Sequence, residues 1–532
     1  LISPVIIIIV ALAVVAFFAM TVLGIRYYTH MLQLSSYQFQ GYFRFIRSNL
    51  IKVVIHLLLM CLAIALCAAS TNTLIPVVVF MLICVALASY YRPQEAKKKF
   101  VVTDRVKRMF ITHAVLIIVM IIITLIAGGR GVVIVPSVYM GFLPFIIALA
   151  NLINKPVELR INKWYIDDAK RILNENKNLR ILGVTGSFGK TSVKYYLTTL
   201  LSEGYRVLMT PESFNTPMGI VRTIRGELQP VHEIFICEMG ARHLHDIKEI
   251  TDIVHPDDGI VTSIGYQHLE TFHSLDNIIS TKYELLDAVE EKKSAGKGNG
   301  DHLKFVNGDN EIIRSHMNHK DAITYGLNEG NDYRATDIEV TSAGTSFTVT
   351  TPDGTTESFQ MKLVGRHNVE NVVGAIAVAN SFGIDLRKLK TAVRRLQSPP
   401  HRLELTRRGN VSILDDAYNS NPNGAKVALE TLSMFQNSVK ILVTPGMVEL
   451  GAKEDEYNKE FGRQAADACD YIILVGENQT KAIKEGVVEK GFDSDKLFVV
   501  PDLSKATELM YSLDSGKERV ILLENDLPDN YK

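Results

Sequence analysis

Ile181-Leu182-Gly183-Val184-Thr185-Gly186-Ser187-Phe188-Gly189-Lys190-Thr191-Ser192 decides how the rest of this chain is read. Residues 181–184 form an apolar run of strand character, glycines follow, and Val193-Lys194-Tyr195-Tyr196-Leu197 continues with a helical pattern. A strand that feeds a glycine-rich turn at a helix N-terminus aims backbone N–H groups at an anion, so the stretch reads as a nucleotide site. Thr185, Gly186, Ser187, Gly189, Lys190, Thr191 and Ser192 would then surround the phosphates, with Lys190 on the β/γ-phosphates and the Thr191 hydroxyl on Mg²⁺. The spacing is narrower than the generic G-x-x-x-x-G-K-[ST], because Val184 stands where that pattern has glycine.

Working outward, 532 residues are too many for one core and imply three or four domains. Fifty-seven basic and 57 acidic side chains cancel, so no global field points to nucleic acid. The five cysteines have no C-x-x-C spacing, which leaves no zinc site or disulfide framework. Apolar residues concentrate towards the N-terminus, in runs at about 2–25, 50–70, 73–91, 109–127 and 131–153. Each is near the roughly 20 residues that span a bilayer, so residues 1–155 are expected to form an α-helical membrane domain of five helices. Arg26, Arg44 and Arg47 lie between the first two runs, and Arg92, Lys97, Lys98, Lys99, Arg105, Lys107 and Arg108 between the third and fourth. By the positive-inside rule those loops are cytoplasmic, which puts the N-terminus outside and everything after Lys155 inside a multi-pass cell-membrane protein. Pro136, Gly141 and Pro144 should kink the fifth helix. His56 and His113 are expected near helix ends, at the interface.

After a linker helix at 156–178, strands at 181–184, 206–209, 233–237, 259–263 and 305–307 alternate with helical segments. That alternation argues for a doubly wound α/β sheet with ligands at the carboxyl ends of its strands. Ser398-Pro399-Pro400 marks a boundary between a central domain, 179–398, and a C-terminal domain, 399–532. Residues 332–360 alternate around turns such as Pro352-Asp353-Gly354 and should form hairpins, whereas 290–300 read as a mobile loop.

Seven motifs then fall in order: Thr185-Gly-x-x-Gly-Lys-Thr191, Asn215-Thr216-Pro217-Met218-Gly219, Glu238-Met239-Gly240-Ala241, His268-Leu269-Glu270-x-Phe272, Lys282-x-Glu284, Gly365-Arg366-His367-Asn368-Val369-x-Asn371 and Asp415-Asp416-Ala417-Tyr418-Asn419-Ser420-Asn421-Pro422. In this set the chain resembles the Mur ligase family, most closely its MurF branch. The resemblance implies a central P-loop ATPase domain and a Rossmann-like C-terminal α/β domain. It also implies an ATP-dependent ligase that joins a carboxylate to an amine through an acyl phosphate, in cell-wall peptidoglycan synthesis. By the same resemblance Thr191 and Glu238 bind one Mg²⁺, and His268 holds a second with the help of a carbamylated Lys282. His367, Asn368 and Asn371 contact adenine. Arg402 reaches the γ-phosphate from the hinge, and Asp415, Asp416 and Tyr418 line the cleft. Local readings stand beside these roles: capping for the asparagines, a turn for residues 419–422, a solvated helix lysine for Lys282.

Two departures bear on substrate. Membrane helices stand where MurF proteins carry a domain for the UDP-sugar, and the C-terminal segment Leu523-Glu524-Asn525-Asp526-Leu527-Pro528-Asp529-Asn530-Tyr531 lacks the branch's Lys-Gly-Ser turn for the amine. The acceptor is therefore expected on a lipid carrier, with an amino acid or dipeptide as amine and membrane lipids as partners. A tethered MurF acting on a UDP-linked muramoyl peptide, a polyglutamate-type capsule ligase and a non-catalytic ATP-gated scaffold are the alternatives.

Overall fold

In a computed structural model, the structure describes residues 4–71, 74–92, 99–212, 214–341, 344–417, 421–448, 450–513 and 516–526. The chain divides into two units, residues 1–164 with 528–532, and 165–527. Tyr418, Asn419, Ser420, Lys97, Lys98 and residues 527–531, all assigned above, lie outside the described residues.

The first unit is helical: α1 (Pro4–Leu34), α2 (Phe39–Ser48), α3 (Leu50–Ala69), α4 (Leu74–Tyr90), α5 (Asp104–Ala127), α6 (Gly131–Gly141) and the first part of α7 (Leu143–Glu175). α1, α3 and α5 are long and apolar enough to cross a membrane. Two of the five expected spans depart from a single long helix. α4 has 17 residues, a rise of about 26 Å, at the lower limit for crossing a bilayer. The fifth run is two helices bent by 70° at Phe142, which together make at most one span. Local chemistry accompanies the break: Pro144 offers no N–H to the preceding turn, and the Tyr42 hydroxyl donates to its carbonyl at 2.8 Å. Gly141 allows close packing, since a Cβ there would sit 3.2 Å from Leu57 Cδ1. His56 and His113 are 2% and 1% exposed, buried among the helices of this unit. A polar ladder joins α5 to α7, with Arg105 donating to Asn151, Arg108 paired to Glu158 at 2.7 Å and Asn154 donating to Thr112.

The second unit begins with the last turns of α7. A nine-stranded sheet follows, built from β1 (Arg180–Thr185), β2 (Val207–Met209), β3 (Ile234–Glu238), β4 (Asp258–Val261), β5 (Lys304–Asn307), β6 (Ile323–Gly326), β7 (Tyr333–Thr341), β8 (Gly344–Thr350) and β9 (Thr356–Met361). Its order is β2-β3-β1-β4-β5-β6-β7-β8-β9. The strands up to β7 run parallel, and β7, β8 and β9 form the expected antiparallel hairpins. Between these strands come α8 (Lys190–Leu201), α9 (Pro217–Glu227), α10 (Asp246–Val254), α11 (Leu269–Phe272), α12 (Leu275–Ser294) and α13 (Glu311–Ser315); α14 (Arg366–Ser381) and α15 (Leu386–Arg394) follow. Chain order reverses at β1, which lies between β3 and β4, so the crevice for a ligand opens at the carboxyl ends of those three strands. Arg180 clamps β1 to β4 through a bidentate pair with Asp258, at 2.6 and 2.8 Å. The run read as a mobile loop is partly helix: residues 290–294 complete α12, and Asn299 N donates to Asp257 Oδ1 at 2.7 Å.

The C-terminal sheet has the order β10-β11-β15-β12-β13-β14. Its strands are β10 (Glu404–Arg408), β11 (Val411–Asp416), β12 (Ser438–Thr444), β13 (Tyr471–Val475), β14 (Leu497–Val500) and β15 (Glu518–Glu524), and its helices are α16 (Pro422–Ser433), α17 (Glu454–Ala468), α18 (Lys481–Glu489) and α19 (Leu503–Ser512). All but the β10–β11 pairing are parallel, as in a Rossmann-like domain.

Candidate active site

The loop between β1 and α8 has the backbone its glycines require. Gly189 has φ +80°, and Gly186 sits where a Cβ would meet Thr262 Oγ1 at 2.2 Å. The turn is pinned from β4's end: Phe188 N donates to Ser263 Oγ at 2.7 Å, and Ser187 Oγ exchanges hydrogen bonds with Gly265. Thr185 Oγ1 donates to Met239 O at 3.0 Å, locking β1's end to that of β3. Lys190 folds over the loop, its Nζ donating to Gly186 O at 2.7 Å and Ser187 O at 3.2 Å. Burial, with Arg402 nearby and against the pull of Glu238, brings its ammonium down to about 8. The Ser192 side chain is hydrogen-bonded with Tyr196.

Thr191 Oγ1 donates to Glu238 Oε1 at 3.2 Å, and Asn215 Nδ2 donates to the same oxygen at 3.1 Å. On the other side Lys194 Nζ lies 2.9 Å from Glu238 Oε2, while donating to Glu212 O at 2.6 Å. Burial opposes ionisation of Glu238, but Lys194 and Lys190 outweigh it and hold the carboxyl below its ordinary value. These residues fit a divalent cation. Glu238 is a buried carboxylate held ionised, and the Thr191 hydroxyl and Glu238 Oε1, 3.2 Å apart, are close enough to share one hard ion. Mg²⁺ bound there supplies charge neutralisation for the phosphates. No three His, Cys, Asp or Glu side chains converge among the described residues, so nucleotide and water oxygens must complete its shell.

His268 begins α11 in a left-handed conformation, φ +52°. Burial, and the cationic Arg242, Lys190 and Lys282, push its imidazole down to about 3, so it is neutral and available as a ligand. Lys282, on α12, is 2% exposed and has no ion-pair partner among the described residues. Burial and Lys190 lower it well below an ordinary lysine, against Asp246 and Glu284, which favours the neutral amine. Lys190, His268 and Lys282 thus lie within electrostatic reach of one another.

The α14 start divides its residues. His367 lines a 260 Å³ cleft with Arg366, Glu370, Val427, Glu430 and Met434, between α14 and α16. Asn371 approaches the P-loop at Gly189, where a Cβ would meet its Oδ1 at 2.7 Å. Asn368 turns inward instead: its amide donates to Val364 O at 3.0 Å and its Oδ1 accepts from the Tyr196 hydroxyl at 2.8 Å. Beyond the hinge, Asp415 Oδ2 is 2.7 Å from His401 Nδ1, and Asp416 Oδ1 accepts from Leu403 N at 3.1 Å. Burial raises Asp416 to about 6, against Arg402 and with Asp415. Arg402 therefore acts on both Lys190 and Asp416, which places the hinge arginine between the two domains of this unit.

Sequence reading missed Lys194, Glu370, Thr262 and Ser263. Lys194 carried a signal, since one helical turn separates it from Lys190 and Thr191 on the same face.

A model of the Mur ligase middle domain matches residues 184–379, and one of the Mur ligase glutamate ligase domain matches 401–524. Two relatives named UDP-N-acetylmuramoyl-tripeptide–D-alanyl-D-alanine ligase stand out. The Escherichia coli (strain K12) protein is 30% identical over 363 residues, 65% of this chain and 77% of its own. The Bacillus subtilis (strain 168) protein is 31% identical over 332 residues, 62% of this chain and 69% of its own. Among solved structures, MurF from Acinetobacter baumannii superposes with a TM-score of 0.61 at 25% identity, covering 70% of this chain and 78% of that one. MurF from Thermotoga maritima in complex with ADP gives 0.59 at 23% identity over 69% and 80%, a likeness of fold. With the P-loop, the Thr191–Glu238 pair and the two α/β domains in one unit, the chain belongs to the Mur ligase family, as an ATP- and Mg²⁺-dependent ligase of the MurF-like type that forms a carbon–nitrogen bond.

Proposed function

We propose that this ligase works embedded in the cell membrane on an acceptor carried by a lipid, its N-terminus outside and its catalytic domains in the cytoplasm. One observation carries the reading. An apolar helical unit with fifteen Lys and Arg against three acids occupies residues 1–164, directly before the middle domain. In the family that place belongs to the UDP-sugar domain. Thirteen of those basic residues fall in segments assigned to the cytoplasmic side, Lys52 at the start of the second apolar run and Arg130 being the exceptions.

In this reading the acceptor's carboxylate takes the γ-phosphoryl group of ATP, giving an acyl phosphate and ADP. The amine then attacks the acyl carbon and phosphate leaves. Lys190 and Arg402 balance charge on the transferring group, with Thr191 and Glu238 on one Mg²⁺. His268 and a carbamylated Lys282 would hold a second ion; the buried, neutral-leaning amine of Lys282 is the species that adds CO₂. A mass increment on the peptide containing Lys282, lost on acid treatment, tests that point, and its absence at high bicarbonate would refute it.

A second reading, a tethered enzyme using a UDP-linked muramoyl peptide and D-alanyl-D-alanine, is favoured by the relatives' names. Phosphate release by the purified full-length protein with ATP and Mg²⁺, comparing lipid-linked and UDP-linked precursors with D-alanyl-D-alanine or single amino acids, separates the two. Stimulation by the lipid-linked precursor alone is expected. Equal or faster turnover of the soluble one overturns the reading.

A further inference from the structure

The last helix of the helical unit, α7, carries its chemistry the wrong way round for a segment in water. Phe145, Leu149, Leu152, Ile153, Val157 and Leu159 are exposed, and at the helical repeat they fall on one half of the cylinder, where Arg160, Lys163 and Trp164 follow them. The polar side chains turn inward. Asn151 accepts from Arg105, Asn154 donates to Thr112, and Glu158, the only acid between residues 143 and 164, pairs with Arg108. An apolar face outward and a polar face towards a neighbouring helix suit a helix whose surroundings are lipid.

The bend sets the depth. α6 packs against α3 and α5, both long and apolar enough to span, and so stands close to the membrane normal. Its 11 residues climb about 16 Å from the outer turn at Arg130. Residues 143–164, inclined by 70° to α6, add a climb of about 11 Å. The chain therefore reaches the far face of a ~30 Å hydrocarbon core at Arg160–Trp164, well beyond the apolar run that ends at 153. The partners on α5 agree: residues 151, 154 and 158 meet 105, 112 and 108, out of step as in an oblique crossing, and within the turns of α5 that follow the basic connection.

At that level Arg160 and Lys163 are exposed, with no acid partner among the described residues, and Lys155, on the flank, is long enough to bring its ammonium to the same layer. Tryptophan settles at the headgroup layer, and three cations without a competing acid select headgroups that are anionic. We infer that α7 from Phe145 to Trp164 is an oblique lipid-contact surface whose basic end binds anionic phospholipid of the cytoplasmic leaflet, immediately before the second unit begins at Tyr165. The inference rests on the membrane-embedded reading above and is independent of the lipid-linked acceptor.

Trp164 is the chain's single tryptophan and is 58% exposed, so intrinsic fluorescence reports on this surface alone. The full-length protein is reconstituted in phosphatidylcholine nanodiscs in which a minor fraction of the lipid is brominated near the top of its acyl chains. Trp164 emission is then quenched by the brominated lipid and shielded from acrylamide. Brominated phosphatidylglycerol quenches more than brominated phosphatidylcholine at the same fraction, since each nearby cation enriches an anionic headgroup roughly fivefold. Arg160→Gln/Lys163→Gln removes that excess, and Arg130→Gln, a charge lost at the outer turn, keeps it. Quenching by acrylamide and not by lipid places Trp164 in water and overturns the surface; protection from both overturns it in favour of a protein contact. Equal quenching by the two lipids in wild type, or an excess that survives the double variant, overturns the anionic site. Alkaline carbonate extraction separates this from the membrane reading: protein released from membranes defeats that reading, whereas protein retained with Trp164 open to water defeats the present inference alone.

Discussion

Lys194 and Glu238 form an ion pair at 2.9 Å in which the side chains are 0% and 2% exposed. A charge so enclosed is tolerated only because its partner is present. Lys194→Met leaves the Glu238 carboxylate facing only Lys190 and neutral donors. We expect a loss of about 3–5 kcal/mol from the P-loop domain, read as a lower denaturation midpoint for nucleotide binding. Lys194→Arg should recover little of it, because the guanidinium does not fit a space shaped by Glu212 O and Glu238.

Gly189→Ala puts a side chain at φ +80° and within 2.7 Å of Asn371 Oδ1. Strain of about 1–3 kcal/mol follows, and Asn371 must move from the P-loop. ATP affinity measured by calorimetry should fall, and Gly354→Ala, at φ +80° with open space around it, should leave ATP affinity unchanged.

Asn368 and His367 are adjacent and should behave oppositely. Asn368→Ala removes the amide that ties Val364 O to Tyr196, leaving that carbonyl without its side-chain donor and the hydroxyl with Ser192 alone, costing about 2 kcal/mol of stability, with KM for ATP nearly unchanged. His367→Ala opens the wall of the 260 Å³ cleft and should raise KM for ATP with little change in stability.

Burial and Asp309 raise Glu370 from 4.5 to about 7, against Asn307 and Arg366. The folded protein therefore holds this proton more tightly than the unfolded chain. The associated stability is complete below about pH 4.5 and is lost as pH rises through 7. Glu370→Gln removes that slope, so the variant should gain on wild type between pH 5 and 8 in parallel urea titrations. Identical pH profiles would contradict the assignment.

The P-loop was legible because its chemistry is local: six consecutive positions carry the turn, the cation and the hydroxyl. Glu238 and His268 could be placed because each lies at or just after the end of a parallel strand, where chain reversal at β1 opens the crevice. Asn368 was misjudged, since a helix-start asparagine looks the same whether it faces a ligand or a buried Tyr196. Glu370 gave no signal, because its environment comes from Asn307 and Asp309, some sixty residues earlier. In the helical unit, Pro144 and Gly141 announced a kink, but neither its 70° angle nor the Tyr42 hydroxyl that bonds Pro144 O, a hundred residues away in sequence, is local information.

Pro156 read as the edge of a linker, but α7 passes through it unbroken to Glu175. Its last turns carry Ala169, fully buried, with Tyr165, Ile166, Ile172 and Leu173 packed on the same core as β1 and β3, and Asp168 paired to Arg225 at 2.7 Å. A soluble enzyme cut free at Arg180 would therefore lose part of its own interior. The helix that starts in the first unit thus finishes as interior of the second, and the boundary of the catalytic fold lies inside a helix, some fifteen residues before its first strand.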